Sequence, residues 1–142
     1  MSFELHPQLA ADCHLLGVMP SGVVLLHRNA AVPWLILVPQ TDVIDLLDLP
    51  TDQLAAVMTD ARQLSAFIRD FFHSAKINFA AIGNVVPQMH LHIIGRHSED
   101  CCWPKPVWGN LQEHAEYSSE VLQVITEQLS VRLMQFSRQD QD

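Results

Sequence analysis

Two histidines and a glutamine occur at alternate positions in a short apolar stretch, Gln88-Met89-His90-Leu91-His92-Ile93-Ile94. On a β-strand successive side chains point to opposite faces. Strand geometry therefore predicts that Gln88, His90 and His92 share one face, while the apolar residues between them lie against a core. Two imidazoles and an amide would then be presented together on the opposite side. This arrangement indicates a functional site.

Two imidazoles on one strand face suit two kinds of chemistry. They are able to bind one metal ion, given a third ligand such as His97, His27 or Asp100. Alternatively, one imidazole acts as a nucleophile while its neighbour and Gln88 hold the substrate oxygens. A third interpretation is a pair of hydrogen-bonded or surface histidines, which the extended polar face and the upstream Gly-Asn turn make less attractive. Spacing alone leaves metal binding and nucleophilic catalysis equally open.

The elements predicted around this stretch form one α+β domain over residues 1–142, an antiparallel sheet with helices packed on one side. Apolar residues at intervals of three and four predict a helix of about 20 residues after Pro50, with Thr51 as its N-cap. A second helix is predicted from Ser119 to Phe136. Apolar and β-branched runs before the histidine stretch predict strands at 13–19, 22–28, 34–38 and 75–82.

Composition excludes several classes of protein. With 8 Lys and Arg against 16 Asp and Glu, the formal net charge is −8, so nucleic-acid binding is not expected. No apolar run reaches the roughly 18 residues that a membrane-spanning helix needs. The N-terminus lacks the pattern of a signal peptide, which predicts a cytoplasmic protein. The 3 cysteines form no C-x-x-C pair, which argues against a disulfide framework and a structural zinc site.

The histidine stretch and an upstream strand carry a family resemblance. Residues 83–96, Gly-Asn-Val-Val-Pro-Gln-Met-His-Leu-His-Ile-Ile-Gly-Arg, resemble the signature of the histidine-triad (HIT) superfamily, His-φ-His-φ-His-φ-φ with φ apolar. Residues 34–39, Trp-Leu-Ile-Leu-Val-Pro, are similar to the family's Gly-His-Leu-Leu-Val-Pro-like strand. The resemblance covers about residues 13–97 in element order and leaves 98–142 as a C-terminal tail and helix. Gln88 stands in place of the first triad histidine, as in a bacterial HIT-like subgroup.

This resemblance implies an activity and a role for each site residue. HIT proteins hydrolyse or transfer nucleotidyl groups at the α-phosphate of nucleotides, dinucleoside polyphosphates or nucleoside phosphoramidates. His90 matches the nucleophile that forms a covalent nucleotidyl-imidazole, and His92 matches the histidine that hydrogen-bonds phosphoryl oxygens. Gln88 would contact the phosphate or leaving group, Asn84 the phosphate and Asn29 the ribose. The resemblance implies a homodimer and requires neither a metal nor another cofactor.

Gln88 is the departure from the family pattern that bears most on activity. An amide does not donate a proton near neutral pH, so Gln88 is not expected to protonate a poor leaving group. A nucleotide-binding HIT-fold protein with little catalysis is therefore the first alternative, and a metal-binding protein that uses His90 and His92 is the second. Trp103 and Trp108, in the stretch that follows, are predicted to stack on a base or a partner subunit, or to pack in the interior.

Overall fold

A computed structural model describes residues 3–139. Six strands form one antiparallel sheet with the order β4-β5-β3-β2-β1-β6. Two helices of more than ten residues and one short helix accompany the sheet, which confirms the predicted α+β class. In chain order the elements are α1 Pro7–Asp12, β1 Cys13–Met19, β2 Gly22–His27, β3 Trp34–Pro39, α2 Thr51–Phe72, β4 Lys76–Ala80, β5 Leu91–Arg96, α3 Ser119–Arg132 and β6 Ser137–Arg138.

Helices α2 and α3 pack against one face of the sheet, as predicted. Helix α2 has 22 residues and buries an apolar stripe that includes Val57, Leu64 and Ile68. Its N-cap is Pro50, so the prediction of Thr51 as the cap is wrong by one residue. Helix α3 begins after Ser118, whose hydroxyl accepts a hydrogen bond from the backbone N–H of Val121, and it ends at Arg132. Burial of these stripes against the strands forms the larger of two apolar cores.

The opposite face of the sheet is also covered, whereas packing on one side only was predicted. Helix α1 contributes Leu9 to a second apolar cluster, and the segment after β5 contributes Cys102 and Val107. Trp34 and Ile36 of β3 lie in the same cluster. The central strand β3 is buried along its whole length because both of its faces are covered.

Strand β5 begins later than predicted. The strands β4 and β5 pair antiparallel, and the connection between them occupies residues 81–90. Residues 88–90 of the histidine stretch therefore precede the strand, and only Leu91–Arg96 belong to it. The predicted grouping of the two imidazoles nevertheless holds, because His90 lies directly before the strand and its ring is next to that of His92.

Strand β5 approaches helix α2 closely at Gly95. A Cβ atom at this position would overlap the side chains of Ser74 and Ile68, because it would lie much closer to them than van der Waals contact allows. The absence of a side chain at Gly95 therefore lets the sheet pack directly on the helix and on the turn that follows it. No helix within residues 3–139 is long and apolar enough to cross a membrane.

Candidate active site

His90 and His92 form a buried imidazole pair at the start of β5. Their ring centroids are 4.9 Å apart with an interplanar angle of 75°. The exposed fractions of the two residues are only 8 % and 7 %. Nδ1 of His90 lies 2.7 Å from the carbonyl oxygen of Gln88. A carbonyl oxygen only accepts, so this contact assigns the proton of the neutral ring to Nδ1 and leaves the Nε2 lone pair free.

His92 is held in the opposite tautomer. The indole Nε1–H of Trp34 donates to Nδ1 of His92 over 3.1 Å. Because an indole only donates, Nδ1 of His92 carries no proton and its Nε2 carries the hydrogen. Burial, together with the neighbouring imidazoles of His90 and His27, lowers the pKa of His92 to about 4. His92 is therefore neutral near pH 7 and has an N–H donor on Nε2.

Three more aromatic rings surround this pair. His27, at the end of β2, stacks on Trp34 with a centroid distance of 4.2 Å and an interplanar angle of 11°. Trp108 meets His92 edge-on at 5.0 Å and Trp34 at 5.8 Å. Sequence reasoning considered His27 only as a possible third metal ligand, and it did not foresee the stacking of His27 on Trp34. The residues His27, Trp34, His90, His92 and Trp108 are called the aromatic cluster below.

The Gln88 side chain is bound to the N-terminal segment. Its Oε1 accepts a hydrogen bond from the backbone N–H of His6 at 2.8 Å, and its Nε2 donates to the carbonyl oxygen of Glu4 at 2.9 Å. Phe3 and Leu5 of the same segment pack on the cluster that contains Trp34. Gln88 thus contributes twice to the site, through its carbonyl oxygen on His90 and through its amide on residues 4–6.

The two predicted asparagines have different surroundings. Oδ1 of Asn29 accepts hydrogen bonds from the backbone N–H groups of Ala31 and Ala115, and its Nδ2 donates to the carbonyl oxygen of Glu113. Asn29 therefore joins the end of β2 to the segment before α3. Asn84 is exposed and follows Gly83, whose φ of +64° forms the turn beside His90.

A buried ion pair anchors the segment that carries Trp108. Arg96 and Asp100 form two hydrogen bonds of 2.7 and 3.0 Å, and Arg96 also donates to Asn78 on β4. The Arg96 guanidinium lies 5.5 Å from the ring of Trp103. Hydrogen bonding to Arg96 lowers the pKa of Asp100 to about 2. Arg96 is only 1 % exposed, so this ion pair is shielded from solvent.

Comparison with known proteins assigns the family. The profile described as HIT domain matches residues 8–99. The chain belongs to the HIT family. Members of this family bind nucleotides and are generally hydrolases or transferases. None of the curated proteins compared with this HIT chain matches it.

Three solved structures of bacterial histidine triad proteins resemble the whole chain. The protein from Bradyrhizobium japonicum is 34 % identical, with a TM-score of 0.87, over 94 % of this chain and 99 % of the other. The protein from Marinobacter aquaeolei VT8 is 38 % identical, with a TM-score of 0.86, over 95 % and 98 %. The protein from Sinorhizobium meliloti 1021 is 29 % identical, with a TM-score of 0.86, over 93 % and 98 %. The resemblance thus extends beyond the HIT domain match to the C-terminal helix.

Residues able to bind a metal are sparse around the imidazole pair. Across the described part of the chain, no three His, Cys, Asp or Glu side chains are grouped so that they could share an ion. His97 and Asp100, suggested as third ligands, lie in the anchored segment after β5, where Asp100 is occupied by Arg96. His27 is stacked on Trp34. A metal at this site would therefore have His90 and His92 as its protein ligands.

Proposed function

We propose that this HIT protein hydrolyses or transfers nucleotidyl groups at the α-phosphate through a covalent nucleotidyl-histidine on His90. The observation that carries the proposal is the opposite protonation of the two imidazoles. His90 has a free Nε2 lone pair because its Nδ1 faces the Gln88 carbonyl oxygen, while His92 has an Nε2–H because its Nδ1 faces the Trp34 indole. A nucleophile and a hydrogen-bond donor for a phosphoryl oxygen are the two groups that such a reaction needs.

The reaction proceeds in two displacements. Nε2 of His90 attacks the α-phosphorus, and the bond to the leaving atom breaks with its electron pair going to that atom. The hydrogen bond from Nδ1–H to the Gln88 carbonyl oxygen stabilises the positive charge that the ring acquires. Water then attacks the phosphorus, the nitrogen–phosphorus bond breaks back to His90, and a nucleoside monophosphate and a proton leave. His92 donates from Nε2 to a phosphoryl oxygen in both steps.

The Gln88 side chain acts as a positioning group in this proposal. Both ends of its amide are bound to backbone groups of residues 4–6, so it holds the N-terminal segment against the apolar cluster of Trp34. The leaving group then takes its proton from water, because Gln88 has no acidic proton to give. The contacts of Asn84 with the phosphate and of Asn29 with the ribose remain predictions.

A panel of adenosine phosphoramidate and dinucleoside polyphosphates tests the activity. We expect turnover, a covalent adduct of one nucleoside monophosphate on His90 in rapidly quenched samples, and loss of both in His90→Ala by at least about a thousandfold. The exposed His73→Asn variant is a matched control and should retain wild-type turnover.

Two alternatives predict different outcomes. A nucleotide-binding protein with little catalysis would bind members of the panel without turning any over, and the absence of an acid at Gln88 favours it. A metal-binding protein would contain one tightly held ion per chain that is lost in both His90→Ala and His92→Ala. Stoichiometric metal in the purified wild-type protein would overturn the assignment of His90 as nucleophile.

The proposed assembly is a homodimer formed through β4. This strand is at one edge of the sheet, so the backbone groups on its outer side are available to a second copy. Phe79 on β4 is 41 % exposed, and Ile82 and Val85 in the following loop are 43 % and 90 % exposed. An exposed apolar edge of this kind favours pairing between copies.

A further inference from the structure

A groove between β1 and α3 is separate from the imidazole pair. Its volume is about 830 Å³, which is within the range of small-molecule sites. Residues 13–16 of β1 form one of its walls, and side chains from residues 119–127 of α3 form another. None of Gln88, His90 and His92 lines it. This space, called the β1–α3 groove below, is therefore distinct from the candidate active site.

One end of the β1–α3 groove has a guanidinium that is held in place. Nε of Arg28 donates to the carbonyl oxygen of Ala11 at 3.0 Å, and its Nη1 donates to Nδ1 of His14 at 3.3 Å. The remaining N–H groups of the guanidinium are available to an anion. Within residues 3–139 Arg28 forms no ion pair with a carboxylate. Because its position is already fixed, Arg28 loses little side-chain freedom when an anion binds.

His14 provides an uncharged donor at the same end. A guanidinium only donates, so the contact with Arg28 places the proton of the His14 ring on Nε2. Burial and the charge of Arg28 both lower the pKa of His14, which keeps the ring neutral near pH 7. The ring of Tyr117 meets that of His14 edge-on at 6.5 Å, which brings Ser119 at the start of α3 to this end. A guanidinium, an imidazole N–H and a hydroxyl therefore line one end of the groove.

The groove continues from this end along apolar side chains. Leu15 of β1 is 44 % exposed, and Leu122 of α3 lines the same space. Arg138 lies at the other end, where it pairs with Gly17 of β1. The strand from His14 to Gly17 spans roughly 10 Å, which is about the length of an extended eight-carbon chain. An elongated apolar group thus fits between the two ends.

The charges of the groove favour an anion at the Arg28 end. Arg28 and Arg138 both line the groove, and among its described lining residues Glu127 alone is acidic. Glu127 is eight residues after Ser119 on α3, so the helical rise separates them by about 12 Å. The carboxylate of Glu127 is therefore remote from the end where the donors lie. A ligand with its negative charge at the Arg28 end avoids most of the repulsion.

We infer that the β1–α3 groove binds an amphipathic anion, a carboxylate or phosphate monoester joined to an apolar body of about eight carbons. The anionic group contacts Arg28, the Nε2–H of His14 and the hydroxyl of Ser119. The apolar body lies along Leu15 and Leu122. The inference does not depend on the proposed function, because none of the residues of that mechanism lines the groove.

Calorimetric titration with octanoate, octyl phosphate, octanamide and octylamine tests the inference. We expect one site per chain with a dissociation constant below about 1 mM for at least one of the two anions. Uncharged octanamide and cationic octylamine should bind at least about tenfold more weakly, since they do not match the donors at the Arg28 end. The comparison of the two anions identifies the preferred head group. Lack of saturable binding of both anions up to about 10 mM, or octanamide binding as tightly as they do, would overturn the inference.

Two variants locate the anionic group. Arg28→Gln removes the guanidinium and should weaken octanoate binding by about tenfold. Gln123 is exposed, lines the groove and lies one turn after Ser119, so Gln123→Glu adds a repulsive charge without changing the contacts of Arg28 and should have a similar effect. Arg62→Gln lowers the net charge equally at an exposed position outside the groove, and it should bind octanoate as wild type does. Unchanged affinity in both Arg28→Gln and Gln123→Glu would overturn the inference.

Leu15→Ser locates the apolar body and should weaken octanoate binding by about fivefold. Val18→Ser is the matched control, because Val18 is 41 % exposed on the same strand but does not line the groove. None of the three tryptophans lines the groove either, so binding should leave tryptophan fluorescence unchanged. Quenching by octanoate with equal affinity in wild type and Leu15→Ser would place the ligand at the aromatic cluster and overturn the inference.

Discussion

The two imidazoles at the start of β5 both have a hydrogen-bond partner at Nδ1, but one partner accepts and the other donates. A carbonyl oxygen on Nδ1 of His90 and an indole N–H on Nδ1 of His92 give the two rings opposite protonation. Neither partner is itself charged, so the assignment does not depend on salt or on a nearby carboxylate. At the scale of single residues, the chemistry of the site is therefore set by one backbone carbonyl oxygen and one tryptophan.

The pH dependence of stability reports the environment of His92. Its pKa is about 4 in the folded protein and near 6.5 in an unfolded chain, so the unfolded chain binds more protons between these values. The folded state is therefore favoured above about pH 6.5 and loses up to roughly 3 kcal/mol as pH falls to 4. Chemical denaturation at several pH values measures this loss. His92→Asn, which keeps a hydrogen-bond acceptor for Trp34, should reduce this loss of stability at low pH. If the free energy of unfolding depended on pH as strongly in this variant as in wild type, the assignment of the loss to buried His92 would be contradicted.

The role of Gln88 is tested by separating kcat from KM. Gln88→Ala frees residues 4–6 from the site, so we expect KM to rise about tenfold while kcat changes less than about threefold. The φ of His6 is −57°, which suits proline. His6→Pro removes the backbone N–H that donates a hydrogen bond to Oε1 of Gln88, and it should have a similar effect. His6→Ser keeps that N–H and supplies a new cap for Gln8, so it is the matched control. A fall in kcat at constant KM would show instead that the amide acts in the transition state.

At the scale of elements, the segment after β5 is attached to the sheet by a buried ion pair. Arg96 ends β5, and its guanidinium holds Asp100 and reaches Asn78 on β4. Val107 of the same segment lies in the second apolar cluster, and Trp108 lies on His92. The pair thus connects β5 to the segment that carries Trp108.

Removal of one member of this pair should be costly. Asp100→Asn leaves the buried Arg96 without a counter-charge, and we expect the free energy of unfolding to fall by about 3–5 kcal/mol. Urea denaturation followed by tryptophan fluorescence measures it. Because the pKa of Asp100 is lowered to about 2, its contribution in wild type is present above about pH 4 and is lost as pH falls toward 2. Asp48→Asn, which changes an exposed carboxylate, is the control. If Asp100→Asn lowered the free energy of unfolding as little as this control does, the stabilising role of the buried ion pair would be contradicted.

At the scale of the whole molecule, the sheet has two unequal edges. β6 is only two residues long and covers part of β1, while β4 offers five residues with its outer side unpaired. The exposed apolar residues of β4 and its following loop are on the second edge. The edge at β4 is therefore the one on which a second copy is expected.

A charge on the β4 edge should separate the copies. Phe79→Glu places one carboxylate from each copy at the dimer interface. Because the two negative charges repel each other, we expect a monomer by sedimentation at micromolar concentration. Val131→Glu, on the exposed side of α3, changes the net charge equally and should leave the dimer intact. A wild-type monomer at the same concentration would contradict the assembly, and an unchanged dimer in Phe79→Glu would place its interface elsewhere.

The amino-acid sequence was sufficient to predict the antiparallel α+β fold with its two long helices and the HIT family, and it singled out residues 88–92 as the candidate site. These follow from local patterns, since strand alternation, helix periodicity and a short motif all depend on neighbours in the chain. The folded structure was needed to identify the hydrogen-bond partners of the His92 ring and of the Gln88 side chain. Trp34 is 58 residues from His92, and the N-terminal segment is about 80 residues from Gln88. Hydrogen-bond partners so far apart in the sequence are brought together by tertiary packing. The alternation of glutamine and histidines in the motif therefore does not predict them.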